Sequence, residues 1–204
     1  MKFKTQYLTK EAVITYNKEI VYYLLTYRKL IDVLNLPDDD IRKINTLRII
    51  SFKNGETTYH EYFKRCIYNH LDLFSYGDWI LISIPSHDQL TTDKNNMDLF
   101  LSRLNLPNNI QYVQGLLIRK EPQLPKHLGE YGERNISKDI NSYKLGTTID
   151  IRNKNIIVID DIVTSGCSLI GAKRYLQMIG ANIVITIAIG KRVYDTKDIR
   201  NDWR

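Results

Sequence analysis

The stretch NIIVIDDIVTSGCSLIGAKRYL, residues 155–176, sets two carboxylates side by side at the end of an almost wholly apolar run. The run Ile156, Ile157, Val158, Ile159 is β-branched throughout. It reads as a strand covered on both faces, the pattern of a parallel sheet in an α/β domain. Asp160 and Asp161 then mark its carboxyl end, and isolated aspartates are costly to bury. Thr164, Ser165, Gly166, Cys167 and Ser168 follow, ahead of a helical pattern through Leu169, Ala172, Lys173 and Leu176. Small hydroxyl residues and a glycine at a helix start can turn backbone N–H groups toward an anion. Carboxylates for hydroxyls beside N–H groups for phosphate point to a phosphorylated sugar.

Working outward, the carboxyl-terminal two thirds alternate between predicted strands and helices. WILISIP (79–85) reads as a strand, a helix runs through Met97, Leu99, Phe100 and Leu104, and IQYVQGLLI (110–118) and NIVITIAIG (182–190) read as further strands. That alternation predicts right-handed βαβ crossovers. Between the strands lies a polar segment, Arg119 to Thr148, too long for an idle connector, and such segments are usually functional or disordered. The first third reads mainly as helix, with Ile14, Val21, Leu24, Leu25, Leu30, Ile31 and Leu34 spaced as an apolar stripe. Asp38, Asp39 and Asp40 cap a helix beginning at Ile41, LRIISF (47–52) reads as a strand, and Asn54-Gly55 as a turn. Thr58 and Glu61 form a capping box for a helix through Tyr62, Phe63, Ile67 and Leu71, which carries His60 and His70 on different turns without convergent metal ligands. The expected organisation is a mainly helical amino-terminal region, 1–75, forming one unit with an α/β core, 76–204.

The chain has 204 residues, room for one α/β domain with an elaboration, and 43% hydrophobic residues, ordinary for a globular protein. Its net charge of +6 suits polyanionic ligands such as phosphates or nucleic acid, and equally a solvated basic surface. Cys66 and Cys167 are too far apart in sequence for a zinc ribbon and suggest no disulfide framework. The amino terminus lacks an uninterrupted apolar stretch, and nothing approaches the roughly 18 apolar residues of a membrane span. A soluble protein of the reducing cytoplasm is expected.

The segment VIDDIVTSGCS resembles the phosphoribosyl diphosphate (PRPP) motif of type I phosphoribosyltransferases, with apolar strand, acidic pair, two variable residues, small-residue loop and helix in the required order. The flanking stretches LLIRKEPQLPKHLGEYGERNI and LQMIGANIVITIAIGKRV are similar to corresponding parts of the ComF-type, competence-associated members, with Arg119, Gln123, Arg134 and Asn135 as matches. The RKE…KH.G spelling is also similar to the mobile loop of orotate phosphoribosyltransferases. The likeness covers residues 79–192 well and 47–75 loosely. Two departures stand out. The zinc ribbon common in ComF-type proteins is absent, and SHDQLTTDKNNMDLF replaces their Arg-Gly-Phe-Asn-Gln-like stretch. Thr164 occupies a loop position where purine-salvage members usually carry aspartate, which argues against 6-oxopurine transfer.

What the resemblance implies is a type I phosphoribosyltransferase fold, a central parallel sheet flanked by helices with a divergent helical amino-terminal region, and Mg²⁺-dependent transfer of phosphoribosyl from PRPP to an unidentified small-molecule acceptor. Asp160 and Asp161 would accept hydrogen bonds from the ribose hydroxyls, directly or through Mg²⁺. Thr164, Ser165, Gly166, Cys167 and Ser168 would cradle the 5′-phosphate, with Cys167 in a packing or backbone role. Pro85, Ser86 and His87 would hold pyrophosphate. Arg119, Lys120, Lys126, His127 and Arg134, in the polar segment, would balance the leaving charge and exclude water, or else form a solvated basic surface. The alternative is a non-catalytic PRPP- or nucleotide-binding module acting with nucleic acid or a protein partner. A homodimer fits either reading.

Overall fold

The computed structural model describes residues 13–16, 19–71, 74, 76–86, 95–122 and 136–194. In chain order these form β1 (Val13–Tyr16), β2 (Glu19–Tyr27), α1 (Leu30–Val33), α2 (Ile41–Lys53), α3 (Thr57–Leu71), β3 (Trp79–Ser83), α4 (Asn96–Leu101) and β4 (Ile110–Tyr112). There follow β5 (Leu117–Arg119), α5 (Ile136–Ser142), β6 (Tyr143–Leu145), β7 (Asn155–Val163), α6 (Cys167–Met178) and β8 (Val184–Arg192). Among the described residues one sheet has the order β1-β2-β8-β7-β3-β4, parallel throughout except for the β1–β2 pair. A small antiparallel pair, β5–β6, stands apart from it.

The β-branched run places β7 in the interior of the sheet, and Ile156, Ile157, Val158 and Ile159 are all 0% exposed. Alternation along a strand sends successive side chains to opposite faces. Ile156 and Val158 pack with Ile80, Ile82 and the α6 residues Leu169, Ile170 and Leu176. Ile157 and Ile159 pack with Leu81, Ile187, Ile189 and a layer from Ile49, Phe52, Phe63 and Phe100 of α2 to α4. The result is a central parallel sheet with helices on both faces, as the sequence pattern implies.

Several local expectations are corrected. Ile14, Val21, Leu24 and Leu25 are not in a helix: Ile14 lies in β1 and the others in β2, which pairs in parallel with β8 inside the main sheet. The apolar spacing there fits a 3.6-residue period, but β2 reads EIVYYLLTY, rich in β-branched and aromatic residues, and it alternates with Val21 and Tyr23 buried while Ile20 is exposed. The opposite error occurs at LRIISF, which lies within α2. Asp40 caps that helix by accepting the Arg42 N–H at 2.8 Å, and Thr46, Ile49 and Phe52 form its buried stripe. Helix α3 starts at Thr57, so Thr58 lies inside the helix and does not cap it. His60 is buried, 5.0 Å from the Phe52 ring and 5.4 Å from Phe100, and burial lowers its pKa. IQYVQGLLI is split by a turn at Gly115, whose φ of 61° suits glycine, into β4 and β5.

The polar segment also contains structure. α5 and β6 bury Ile136, Asp139, Ser142 and Tyr143, and α5 packs against α6 at Gly171, where an added Cβ would stand 2.7 Å from the Asp139 Cβ.

Candidate functional site

The pairing of β3 with β7 stops at Ser83 opposite Ile159, with one further bond from the Ile84 N–H to the Ile159 carbonyl at 2.9 Å. On its other side β7 continues along β8, from Asp160 opposite Ala188 to Val163 opposite Lys191. The acidic pair therefore lies inside β7 and not after its end, a correction to the expected boundary. Among the described residues β7 keeps a strand partner there on one side only, at the carboxyl ends of the strands, the position at which open α/β sheets form their ligand-binding crevice.

Adjacent strand positions send the two carboxylates different ways. Asp161 Oδ2 lies 3.3 Å from the Lys53 ammonium at the end of α2. Asp160 Oδ1 accepts the Asp161 N–H at 2.9 Å. It lies on the side of Tyr143, whose hydroxyl pKa is raised by burial, with Arg119 opposing and the charges of Asp139 and Asp160 adding to the rise. Both aspartates are half-buried.

After Val163 the chain turns through Thr164 and Ser165 to Gly166, whose φ of 80° lies in the left-handed region. A side chain there would be strained, although the nearest atom to an added Cβ is 3.5 Å away, so backbone conformation and not crowding demands glycine. The Gly166 carbonyl accepts from Ile170, the Ser165 hydroxyl lies 3.5 Å from the Cys167 nitrogen, and α6 has no acidic side chain in its first turn. The positive end of a helix dipole favours negative charge. Cys167 is buried at 1% exposure, consistent with packing, while Thr164, Ser165 and Ser168 are half-buried.

The structure brings Asp160, Asp161 and residues 164–168 together and sets Pro85, buried, and Ser86, half-buried, just past the end of neighbouring β3. It does not present Arg119 to this crevice. Its side chain is 4% exposed, lies 3.4 Å from Asp139, donates to the Ser142 hydroxyl and stacks 4.3 Å from the centre of the Tyr143 ring. The expected leaving-group role for Arg119 is corrected to a structural one, because a guanidinium committed to a buried carboxylate and ring is not free to meet pyrophosphate. The Tyr143 hydroxyl donates to the Ser168 carbonyl at 3.1 Å, so this cluster braces the start of α6 from behind. Lys120 is exposed, with its backbone N–H on the Ser142 carbonyl at 2.8 Å. His87, Gln123, Lys126, His127, Arg134 and Asn135 lie outside the described residues.

Other side chains reach this edge unannounced by the motif. Besides Lys53, Tyr27 ends β2 with its pKa raised by burial, while Arg192 opposes the rise and Asp161 and Asp160 add to it. Lys191, one residue before the end of β8, has its ammonium 5.6 Å from the Tyr23 ring centre and its pKa lowered by burial. The available signal was positional, since both lie at the close of strands whose carboxyl ends meet the acidic pair.

Residues 122–204, less than half of the chain, match the family described as phosphoribosyl transferase domain. Over 50 residues the chain is 36% identical to a protein of Methanosphaera stadtmanae described as transcriptional regulator GfcR, a stretch covering 24% of this chain and 25% of that protein. Among solved structures, a hypoxanthine phosphoribosyltransferase of Staphylococcus aureus in an orthorhombic crystal overlaps 72% of this chain and 76% of its own, at 13% identity and a TM-score of 0.35. Its tetragonal form gives 11% identity, 72% and 75% coverage and the same TM-score of 0.35. Overlap so remote identifies no acceptor. The parallel sheet flanked by helices, the acidic strand end leading through a glycine turn into α6, and the match over residues 122–204 together give this chain the α/β fold of the type I phosphoribosyltransferases.

Proposed function

We propose that the chain binds PRPP at the carboxyl end of β7 and transfers its phosphoribosyl group to an acceptor, releasing pyrophosphate. The observation that carries this reading is the acidic pair at the one-sided end of β7, joined by the Gly166 turn to the amino terminus of α6. The carboxylates can only accept, so they suit the ribose hydroxyls, and the α6 terminus suits the 5′-phosphate. In the transfer the bond from the ribose anomeric carbon to the pyrophosphate oxygen breaks, pyrophosphate keeps the electron pair, and the acceptor forms the new bond. Ser86 and the end of β3 face the leaving group, and Lys120, directly after β5, is one of the exposed described cations of the polar segment, with Lys138 and Lys144.

Mg²⁺ fits this donor set. Among the described residues no group of three or more His, Cys, Asp or Glu side chains forms a protein cage. Mg²⁺ on a phosphorylated substrate needs only one or two carboxylates, which Asp160 and Asp161 supply, and when bound it would neutralise phosphate charge. The flanking stretches favour a ComF-type relationship within the family, and we place the protein in the cytoplasm. Among the described residues no helix is long and apolar enough to cross a membrane.

A second reading is favoured by the partial likeness to a protein described as a transcriptional regulator. In it the same pocket senses PRPP or a nucleotide, and the output is an interaction with nucleic acid or a protein. Pyrophosphate release separates the two. With PRPP, Mg²⁺ and a panel of nucleobases and related acceptors, acceptor-dependent release establishes the transferase, whereas saturable PRPP binding without release across the panel establishes the sensor.

A further inference from the structure

Asp98, in the first turn of α4, is 0% exposed. One of its oxygens accepts the Ser83 hydroxyl and, at 2.7 Å, the Tyr112 hydroxyl; the other accepts the Asn95 N–H at 3.1 Å. Its own N–H donates to the Asn95 side chain at 2.8 Å, completing a capping box. A capping box needs only Asn95 and Asp98, and at a helix start it normally works in water. Here hydroxyls from β3 and β4 converge on the same carboxylate in the core.

A buried carboxylate is expensive, and apolar packing of similar volume often stabilises a fold at least as well. What a carboxylate adds is direction, because each donor is held at a fixed angle. The donors held are telling. Ser83 is the last residue of β3, directly ahead of Ile84, Pro85 and Ser86, and Asn95 is where the chain returns to enter α4. Burial, followed by the bond to Asp98, raises the pKa of Tyr112, which therefore stays a donor.

We infer that Asp98 is a positioning residue for pyrophosphate, fixing the segment Ile84–Ser86 at the end of β3 by holding Ser83 and Asn95 on one carboxylate. The inference rests on the transferase or PRPP-sensor reading of the site. Asp98 touches no ligand itself. It sets where the backbone beyond Ser83 meets the leaving group, whereas the ribose and 5′-phosphate contacts come from β7 and α6.

The test compares two ligands on the full chain by calorimetry, Mg-pyrophosphate and ribose 5-phosphate, for the wild type, Asp98→Ala and Ser83→Ala. The expected result is pyrophosphate affinity lowered on the order of tenfold to a hundredfold in Asp98→Ala, as for misplacement of a binding group. Ser83→Ala, which leaves Tyr112 and Asn95 on Asp98, shows a smaller loss of the same kind and stands in if Asp98→Ala does not fold. Ribose 5-phosphate binding stays at the wild-type level in both. Equal losses for the two ligands, or no loss for either, overturn the inference alone. A wild type that binds neither ligand overturns the phosphoribosyl reading, and the inference with it.

Discussion

The carboxyl ends of β3 and β7 are neighbours in the sheet, yet their carboxylates live under opposite conditions. Asp98, beside the end of β3, is saturated by two hydroxyls and a backbone N–H and has no exposure. Asp160 and Asp161, at the end of β7, are half-buried at a point where the strand has lost one neighbour, and the cation on Asp161 comes from the partly exposed Lys53. The difference teaches how a carboxylate that holds structure differs in its surroundings from the pair we propose for ligand binding. The first takes its donors from several elements inside the core, and the second stands half-buried at a strand end. The same contrast separates the neighbouring cations, with Arg119 closed on Asp139, Ser142 and Tyr143 and Lys120 open.

Substitutions can break this comparison. The largest effect is expected on ligand affinity when Asp160→Asn and Asp161→Asn are combined. Each lost charge-assisted bond is worth about 1.5–3 kcal/mol, so PRPP affinity falls a hundredfold or more while the urea midpoint stays put. A pair variant that loses stability instead would place these residues with Asp98. Next comes Arg119→Met, which takes the guanidinium away from the buried Asp139, Ser142 and Tyr143 and costs about 3–5 kcal/mol of unfolding free energy. Wild-type stability together with lost PRPP binding would return Arg119 to the active crevice.

Asp98→Ala sharpens the closed side. Leaving the Ser83 and Tyr112 hydroxyls and the Asn95 N–H to find new partners costs about 2–4 kcal/mol in a denaturant titration. A neutral result would mean that water or rotated hydroxyls replace the carboxylate at no penalty. Smallest is Lys53→Met. The pair with Asp161 is exposed enough that its loss shifts stability by less than about 1 kcal/mol. If Lys53 competes with ligand for Asp161, PRPP affinity in this variant rises or holds; a sharp fall would make Lys53 a ligand contact.

Much of the open region was legible in sequence because its signals are local. A β-branched run, an acidic pair, a glycine among hydroxyl residues and a helical period succeed one another within residues 155–176, and each has its own physical reason. The closed regions were not legible, because their partners are remote. Arg119 looks like a free cation until Asp139, 20 residues later, folds back as part of α5. Asp98 is not singled out by any local pattern, because its partners Ser83, 15 residues earlier, and Tyr112, 14 residues later, meet it only in the fold. The first third failed differently. The apolar spacing of residues 14–25 admits both helix and strand, and the free edge of β8 decided for strand by supplying hydrogen-bond partners to β2.

The central claim is that PRPP sits where β7 runs into α6. Amide hydrogen exchange on the wild-type chain, with and without PRPP and Mg²⁺, tests it most directly, since ligand contact slows exchange at the amides it covers. The account predicts new protection concentrated in residues 160–168, with weaker protection at Ser86. Protection that appears elsewhere, or unchanged exchange across 160–168 at saturating PRPP, would contradict it.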